Sequence, residues 1–437
     1  MNDMVFYVGI ALLVIVPILL FLGTPICTSM GVGSVAAMCV ILGVGKVDVT
    51  AAQRIFTGMN SFALLAIPFF VLAGVVMNNG GIAQRLINLA KAFIGFIPGS
   101  LAHINIVANM LFGAISGSGV AAAAAIGGIL GPIEKRENYL PKFAASVNIA
   151  SAPCGMLIPP SNTFIIYSLA SGGTSVAALF VAGYLPGIIW GIACMMVTAY
   201  FVHKLGYKGS ESYHGVMERV KVFIDAIPAL FLIIVIVGGI ITGIFTPTEA
   251  SCISVVYAMI LSFIYRSIKL KDIPAMLLAT AKSTGLIIFL IGVSAVLSWV
   301  MAFAKIPGLI ASGLLAVTSN PVLILIMMNI IMLFIGCIMD PTPAILIFAP
   351  IFLPVVQKFG YNVVHFGVIM VFNLCIGTIT PPVGPILFTG CKIAEQKIED
   401  VFFTLVPYFI VLTLALMIVT FVPELSVWLP RAMHLMQ

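Results

Sequence analysis

The chain has 437 residues, of which 62% are hydrophobic and only 8% charged, and its formal net charge is +6. A soluble domain is about a quarter charged, so this chain has too little polar surface to cover a water-soluble fold; lipid is the solvent that suits it. The basic excess sits in connections, which fits cytoplasmic membrane flanks better than nucleic-acid binding.

From the N-terminus, no charge occurs between Asp3 and Lys46. This apolar run has no basic n-region and continues into a second span, so it reads as a retained helix and not a signal peptide. Further charge-free stretches run from Lys91 to Glu134, Lys142 to Lys204, Lys305 to Asp340 and Lys358 to Lys392. A crossing helix needs about 20 apolar residues, so most of these hold two passes, or one pass plus a pair of half-length segments. The eight cysteines are scattered, without a CxxC pair, and read as small buried hydrophobes.

A shift of 222 residues superposes the punctuation of two halves. Thr24-Pro25 falls on Thr246-Pro247, Pro132 on Pro354, Gly155 on Gly377 and Pro159-Pro160 on Pro381-Pro382. The chain is therefore one membrane transport domain, residues 1–437, made of repeat one (about 1–205), a polar hinge (about 203–222) and repeat two (about 223–437). The hinge, with Lys204, Lys208, Arg219 and Lys221, shares a side with Arg266, Lys269 and Lys271 if one helical hairpin separates them; basic loops place that side in the cytoplasm. With an odd number of crossings per half, the halves are inverted and the N-terminus is periplasmic.

Four segments carry the chemistry: GAISGSGVAAAAAIGGILGP (113–132), ASAPCGMLIPPSNTFIIYS (150–168), GCIMDPTPAILIFAPIFLP (336–354) and NLCIGTITPPVGPILFTG (373–390). Ser118 to Pro159 and Asp340 to Pro381 are both 41 residues. The first and third read as re-entrant hairpins with tips at Ser116–Gly119 and Asp340–Pro343. The second and fourth carry Gly-x-x-x-Pro-Pro, which opens a helix by removing backbone N–H donors. Open backbone is costly in hydrocarbon unless it is buried in protein or lines a wet cavity, so matched breaks in two halves point to a transporter's substrate and ion site. The oxygens on offer at Ser116, Ser118, Ser161, Asn162, Thr163, Thr342, Thr378 and Thr380 are neutral. Such a cage suits Na⁺ over H⁺. Half-helix N-termini after Pro160 and Pro382 favour an anionic substrate. Asp340 and Glu249 could instead cap the helices they precede or begin, and His103 and Asn105 could bond a neighbouring helix.

The motifs IPFFVLAGVVMNNGGIAQRL (67–86), SGSGVA (116–121), GMLIPPSNTFIIYS (155–168), FTPTEAS (245–251) and HFGVIMVFNLCIGTITPPVG (365–384) closely resemble the large membrane (M) subunit of the tripartite ATP-independent periplasmic (TRAP) transporters, within the ion transporter superfamily. The resemblance implies an all-α polytopic fold of two inverted repeats, each with a re-entrant hairpin and a discontinuous transmembrane helix. It also implies a scaffold and an elevator-type transport domain, in the bacterial inner membrane. It implies sodium-driven uptake of a carboxylate such as a dicarboxylate, sialic acid or sugar acid, with Na⁺ as coupling ion and no cofactor. The implied partners are a small four-helix membrane (Q) subunit and a soluble periplasmic binding (P) protein, the Q subunit being expected as a separate chain.

Carried onto this sequence, Ser116, Ser118 and Gly155 resemble one sodium site and Asp340, Thr342, Gly377 and Thr380 a second. Pro160, Ser161, Asn162, Thr163, Pro382, Val383 and Gly384 resemble the substrate-facing tips. The alternatives are a proton-coupled or binding-protein-independent carboxylate carrier, an intramembrane hydrolase built on Ser118 or Asp340, and a passive channel. No histidine is placed as a base for Ser118 and no second acid pairs with Asp340. The chain also has no P-loop motif of an ATP-driven pump.

Overall fold

The structure, a computed structural model, describes residues 7–209, 215–318, 320–381 and 383–436. Every regular element among these is helical. In the first half α1 (Val16–Phe21) continues a π-turn and is followed by α2 (Ile26–Leu42), α3 (Val47–Met59), α4 (Ala66–Asn79) and α5 (Ile82–Ile94). Then come α6 (Ser100–Ser116), α7 (Gly119–Arg136), α8 (Pro141–Ser151), the single turn α9 (Cys154–Leu157), α10 (Asn162–Ala170) and α11 (Val176–Leu205). The second half has α12 (Val216–Ile241), α13 (Pro247–Ile264), α14 (Ile273–Phe303), α15 (Ile306–Val317) and α16 (Pro321–Gly336). It ends with α17 (Pro341–Lys358), α18 (Val363–Gly377), α19 (Pro385–Ile393), α20 (Ile398–Phe421) and α21 (Glu424–Ala432).

Seven helices among the described residues are long and apolar enough to cross a membrane, and two bent pairs raise this to nine. The starts of α7 and α17, of α8 and α18, and of α11 and α20 are each 222 residues apart. The halves differ where α3 and α4 are separated at Asn60-Ser61 while α14 runs unbroken. The corresponding stretch, Lys282-Ser283-Thr284, has no residue that forces a break. The polar hinge has helix at both ends, since α11 extends to Leu205 and α12 begins at Val216; its Glu211 lies outside the described residues.

The helices form two packed groups. α2, α3 and α4 pack on α13 and α14, and α12 joins α13. α6 to α11 pack with α16 to α21, around fully buried Trp190. The Trp190 indole N–H donates to Ala150 O (2.9 Å) and its ring lies 4.9 Å from Phe372, joining α11, α8 and α18. α5 touches both groups, through α12 and α6, and α15 does so through α14 and α17.

Capping sets the helix starts. Thr246 and Glu249 form a reciprocal capping box at α13: the Thr246 N–H donates to Glu249 Oε2 (2.8 Å) and the Glu249 N–H to Thr246 Oγ1 (3.3 Å). Glu249 is thereby occupied in a structural role.

Both ends of the α6–α7 hairpin are tied to the chain just after α11. Gly99 N–H donates to Lys208 O (3.1 Å), Leu140 N–H donates to Tyr207 Oη (2.8 Å), and the Tyr139 ring stacks on Tyr207 at 4.3 Å. We call this the hinge side. α11, at 30 residues, spans about 45 Å, so its start lies on the opposite side. There, Tyr167 Oη donates to Val363 O (2.7 Å), at the return end of the α16–α17 hairpin. The two hairpins therefore open to opposite sides. Their limbs have 16–18 residues, about 24–27 Å against the ~30 Å hydrocarbon core.

Candidate translocation site

The first tip is built by Gly117, at φ 62°, which ends α6 in the left-handed conformation and lets Ser118 begin α7. Ser118 Oγ accepts from Ala121 N–H (3.3 Å) and the Ser116 hydroxyl donates to Ser118 O (3.4 Å). The tip rests on the first break: a Cβ on Gly117 would stand 3.2 Å from Asn162 N and Nδ2. A Cβ on Gly119 would meet Ile386 of α19 at 2.4 Å, so the same tip also reaches the second broken segment.

At the first break, α9 ends at Leu157 and α10 starts at Asn162, with Pro159-Pro160 between. The break leaves Met156 O without its helical donor. Thr163 Oγ1 (2.9 Å) and Ser161 Oγ donate to it, and the two hydroxyls lie 2.7 Å apart. Ser161 and Thr163 thus close the backbone as lipid depth requires, while keeping lone pairs free to accept. Asn162 differs: its backbone N and Nδ2 stand nearest the first tip, while its Oδ1 is buried without a hydrogen-bond partner.

At the second break, Thr378 O accepts from Ile386 N–H (3.1 Å) and Leu387 N–H (3.3 Å). The Thr378 and Thr380 hydroxyls bond back to Cys375 O and Ile376 O. The hairpin tip and the break are joined by backbone: Val383 N–H (3.1 Å) and Gly384 N–H (3.4 Å) both donate to Cys337 O. Asp340 is the N-cap of α17, its Oδ1 accepting from Thr342 N–H (3.2 Å). It is exposed at the tip, with Thr342 half-buried beside it. Pro382 lies outside the described residues.

Each hairpin crosses its broken helix at a pair of glycines. A Cβ on Gly155 would lie 2.1 Å from Gly113 Cα, and one on Gly377 would lie 2.3 Å from Gly336 C. Gly155 and Gly377 were legible as helix breakers. Their partners Gly113 and Gly336 were not, because only the fold shows which backbone each meets. The half-helices α10 and α19 both begin without a side-chain cap; α19 starts on Pro385 and its next two N–H groups are taken by Thr378 O, so among the two only α10 keeps helix-start N–H groups without a capping side chain.

The crossings also carry buried polar pairs that sequence reasoning did not single out. Asn109 Nδ2 donates to Ser151 Oγ (2.9 Å) in the first half, and Asn373 Nδ2 to Asn329 Oδ1 (2.8 Å) in the second. Ser151 and Asn373 both stand four residues before the break glycine, and four-residue spacing in an apolar run was the available signal. Asn105 does bond a neighbouring helix, through Glu134 on α7.

A polytopic helical bundle with two short hairpins opening to opposite sides, each crossing a broken helix, is the architecture of a transporter. The family model for "Tripartite ATP-independent periplasmic transporter, DctM component" matches residues 13–425, and the chain belongs to that family. Its curated relatives include the uncharacterized protein YgiK of Salmonella typhimurium, 50% identical over 94% of this chain and 95% of that protein. The isethionate TRAP transporter permease protein DctMQ of Oleidesulfovibrio alaskensis is 36% identical over 94% of this chain and 64% of that protein. The 2,3-diketo-L-gulonate TRAP transporter large permease protein YiaN of Escherichia coli is 35% identical over 86% and 88%. Among solved structures, the YdaH transporter of Alcanivorax borkumensis shares the fold, with a TM-score of 0.60 at 13% identity over 89% of both chains. The protein is an integral membrane transport permease and not an enzyme.

Proposed function

We propose that the chain is the translocating subunit of a sodium-coupled importer for an organic acid. In this reading it receives substrate from a periplasmic binding protein and works beside a small four-helix membrane subunit. The observation that carries this is the buried, unpartnered oxygen of Asn162, a residue that opens α10 beside the first hairpin tip. Ser116, Ser118 and the backbone at Gly155 would hold one Na⁺, and Asp340, Thr342, Gly377 and Thr380 a second, all hard oxygen donors. The uncapped start of α10 would attract the carboxylate, with Pro160, Ser161, Asn162 and Thr163 lining it and Pro382, Val383 and Gly384 completing the substrate-facing tips. The family's named sugar-acid relative supports the substrate class. The α6–α11 and α16–α21 group would move against the other, with α5 and α15 as connecting arms. The basic hinge side would face the cytoplasm and the N-terminus the periplasm.

Proteoliposomes holding the chain with its small subunit and binding protein should take up carboxylate only in a sodium gradient. Uptake that persists without Na⁺ and collapses with the pH gradient would establish proton coupling instead. Asp340→Ala should lower the thermal midpoint by the loss of an N-cap, about 1 kcal/mol. Asp340→Asn keeps the capping oxygen, so its midpoint should match wild type while its apparent Na⁺ affinity falls. Equal Na⁺ dependence in Asp340→Asn and wild type would restrict Asp340 to capping.

A further inference from the structure

The hinge end of α7 holds a carboxylate that the paired sites do not use. Glu134 is 3% exposed. Among the described residues it has no ion-pair partner, the two ion pairs being Arg85–Asp225 and Arg431–Glu424. Its hydrogen-bond donor is the neutral Asn105 amide, at 3.2 Å. Burying an unpaired carboxylate costs several kcal/mol, so a positive charge has to reach it.

A route exists. Glu134 lines a cavity of about 370 Å³, between α7, α8 and the end of α19, room for on the order of ten waters. Gly127, Gly131 and Gly390 leave the space, while Asn148 and Gln396 supply polar atoms. The titratable groups around it are Lys135, Tyr139 and Glu395 in the wall, with His103 on α6, Lys142 on α8 and Lys91 on α5 carried by the helices packed nearby. Burial pushes the Tyr139 phenol up to about 12, so it stays a neutral hydroxyl. The cavity opens at the hinge side, where Tyr139 stacks on Tyr207.

The carboxylate is wired inward. Asn105 Oδ1 accepts from Asn109 Nδ2 (2.8 Å), which also lies 3.1 Å from Asn148 Oδ1 and 2.9 Å from Ser151 Oγ. Three acceptors share one amide nitrogen with two hydrogens, and Asn109 Oδ1 is itself buried with no partner. The cluster is therefore rich in acceptors and short of donors. It ends at Ser151, one helical turn before the Gly155 crossing. The repeat does not copy the acid: residue 356, its counterpart, is Val356.

We propose that Glu134, with Asn148 and the cavity before them, binds a monovalent cation drawn from the hinge-side solution, either an alkali ion or a proton. This site is additional to the paired tips and stands whether or not they hold sodium. Its charge state is reported to the first crossing through Asn105, Asn109 and Ser151.

The test uses the purified full chain in lipid nanodiscs, with thermal unfolding followed against NaCl, KCl and pH, choline replacing the alkali ion at constant ionic strength. Wild type should gain stability with a cation in a component that Glu134→Gln removes, weakening the apparent affinity of that component roughly tenfold or more. Glu134→Gln, already neutral, should match or exceed wild type in choline at alkaline pH, which also shows that the variant folds. Glu134→Asp should partly restore the response. A component that follows Na⁺ or K⁺ at fixed pH identifies an alkali ion, and one that follows acid alone identifies a proton. Identical cation and pH responses in wild type and Glu134→Gln overturn the proposal. Ser116→Ala/Ser118→Ala separates the two readings. If it removes the sodium response while Glu134→Gln changes neither the sodium nor the pH response, the tips stand and this site fails. If Glu134→Gln alone removes it, this site stands and the first tip fails.

Discussion

Gly155→Ala should abolish uptake and lower the thermal midpoint, and Gly377→Ala should do the same. The added methyl at 155 would lie 2.1 Å from Gly113 Cα and 2.4 Å from Gly113 C; at 377 it would lie 2.3 Å from Gly336 C and 2.4 Å from Gly336 Cα. These obstructing atoms are backbone, so no rotamer change relieves them. Overpacking in a core costs about 1–3 kcal/mol when side chains adjust, and here two helices must separate at the point where a hairpin meets its break. Gly285→Ala is the control. It has nothing within 4 Å of its added Cβ and sits inside α14, where alanine is favoured over glycine by about 0.5–1 kcal/mol. Uptake assays alongside thermal unfolding in nanodiscs read both effects. Wild-type uptake by Gly155→Ala would mean that the two backbones do not cross there in the working protein.

Asn162→Ala separates function from stability in the other direction. The Asn162 Oδ1 has no partner to lose, so the midpoint should stay within about 0.5 kcal/mol of wild type. Uptake should fall roughly tenfold or more, equivalent to about 1.4 kcal/mol or more of lost ligand interaction. Asn162→Asp then distinguishes the ligand's sign. A carboxylate at this position should raise apparent sodium affinity if the oxygen faces a cation, and should raise the substrate concentration needed for half-maximal uptake if it faces the organic anion. Wild-type uptake by Asn162→Ala would show that the orphan oxygen serves neither. A midpoint that falls in step with uptake would assign Asn162 to the fold.

The solvent, the helical class, the 222-residue correspondence and the places where helices break were all legible in the amino-acid string. These are local or compositional matters. Apolar length decides what lipid accepts, and Gly-x-x-x-Pro-Pro removes hydrogen bonds wherever it sits. The capping roles open to Asp340 and Glu249 were legible for the same reason, since a cap is set within one helical turn. Tertiary structure decided what each break meets. That Gly155 needs Gly113 and Gly377 needs Gly336, that Ser161 and Thr163 spend their protons on Met156 O, and that Asn162 Oδ1 is left unpaired all depend on backbones brought together across the bundle. Glu134 shows the limit most plainly. In sequence it only closes a charge-free stretch beside Lys135; the packing of α6, α8 and α19 around it buries the carboxylate and leaves a cavity at its side.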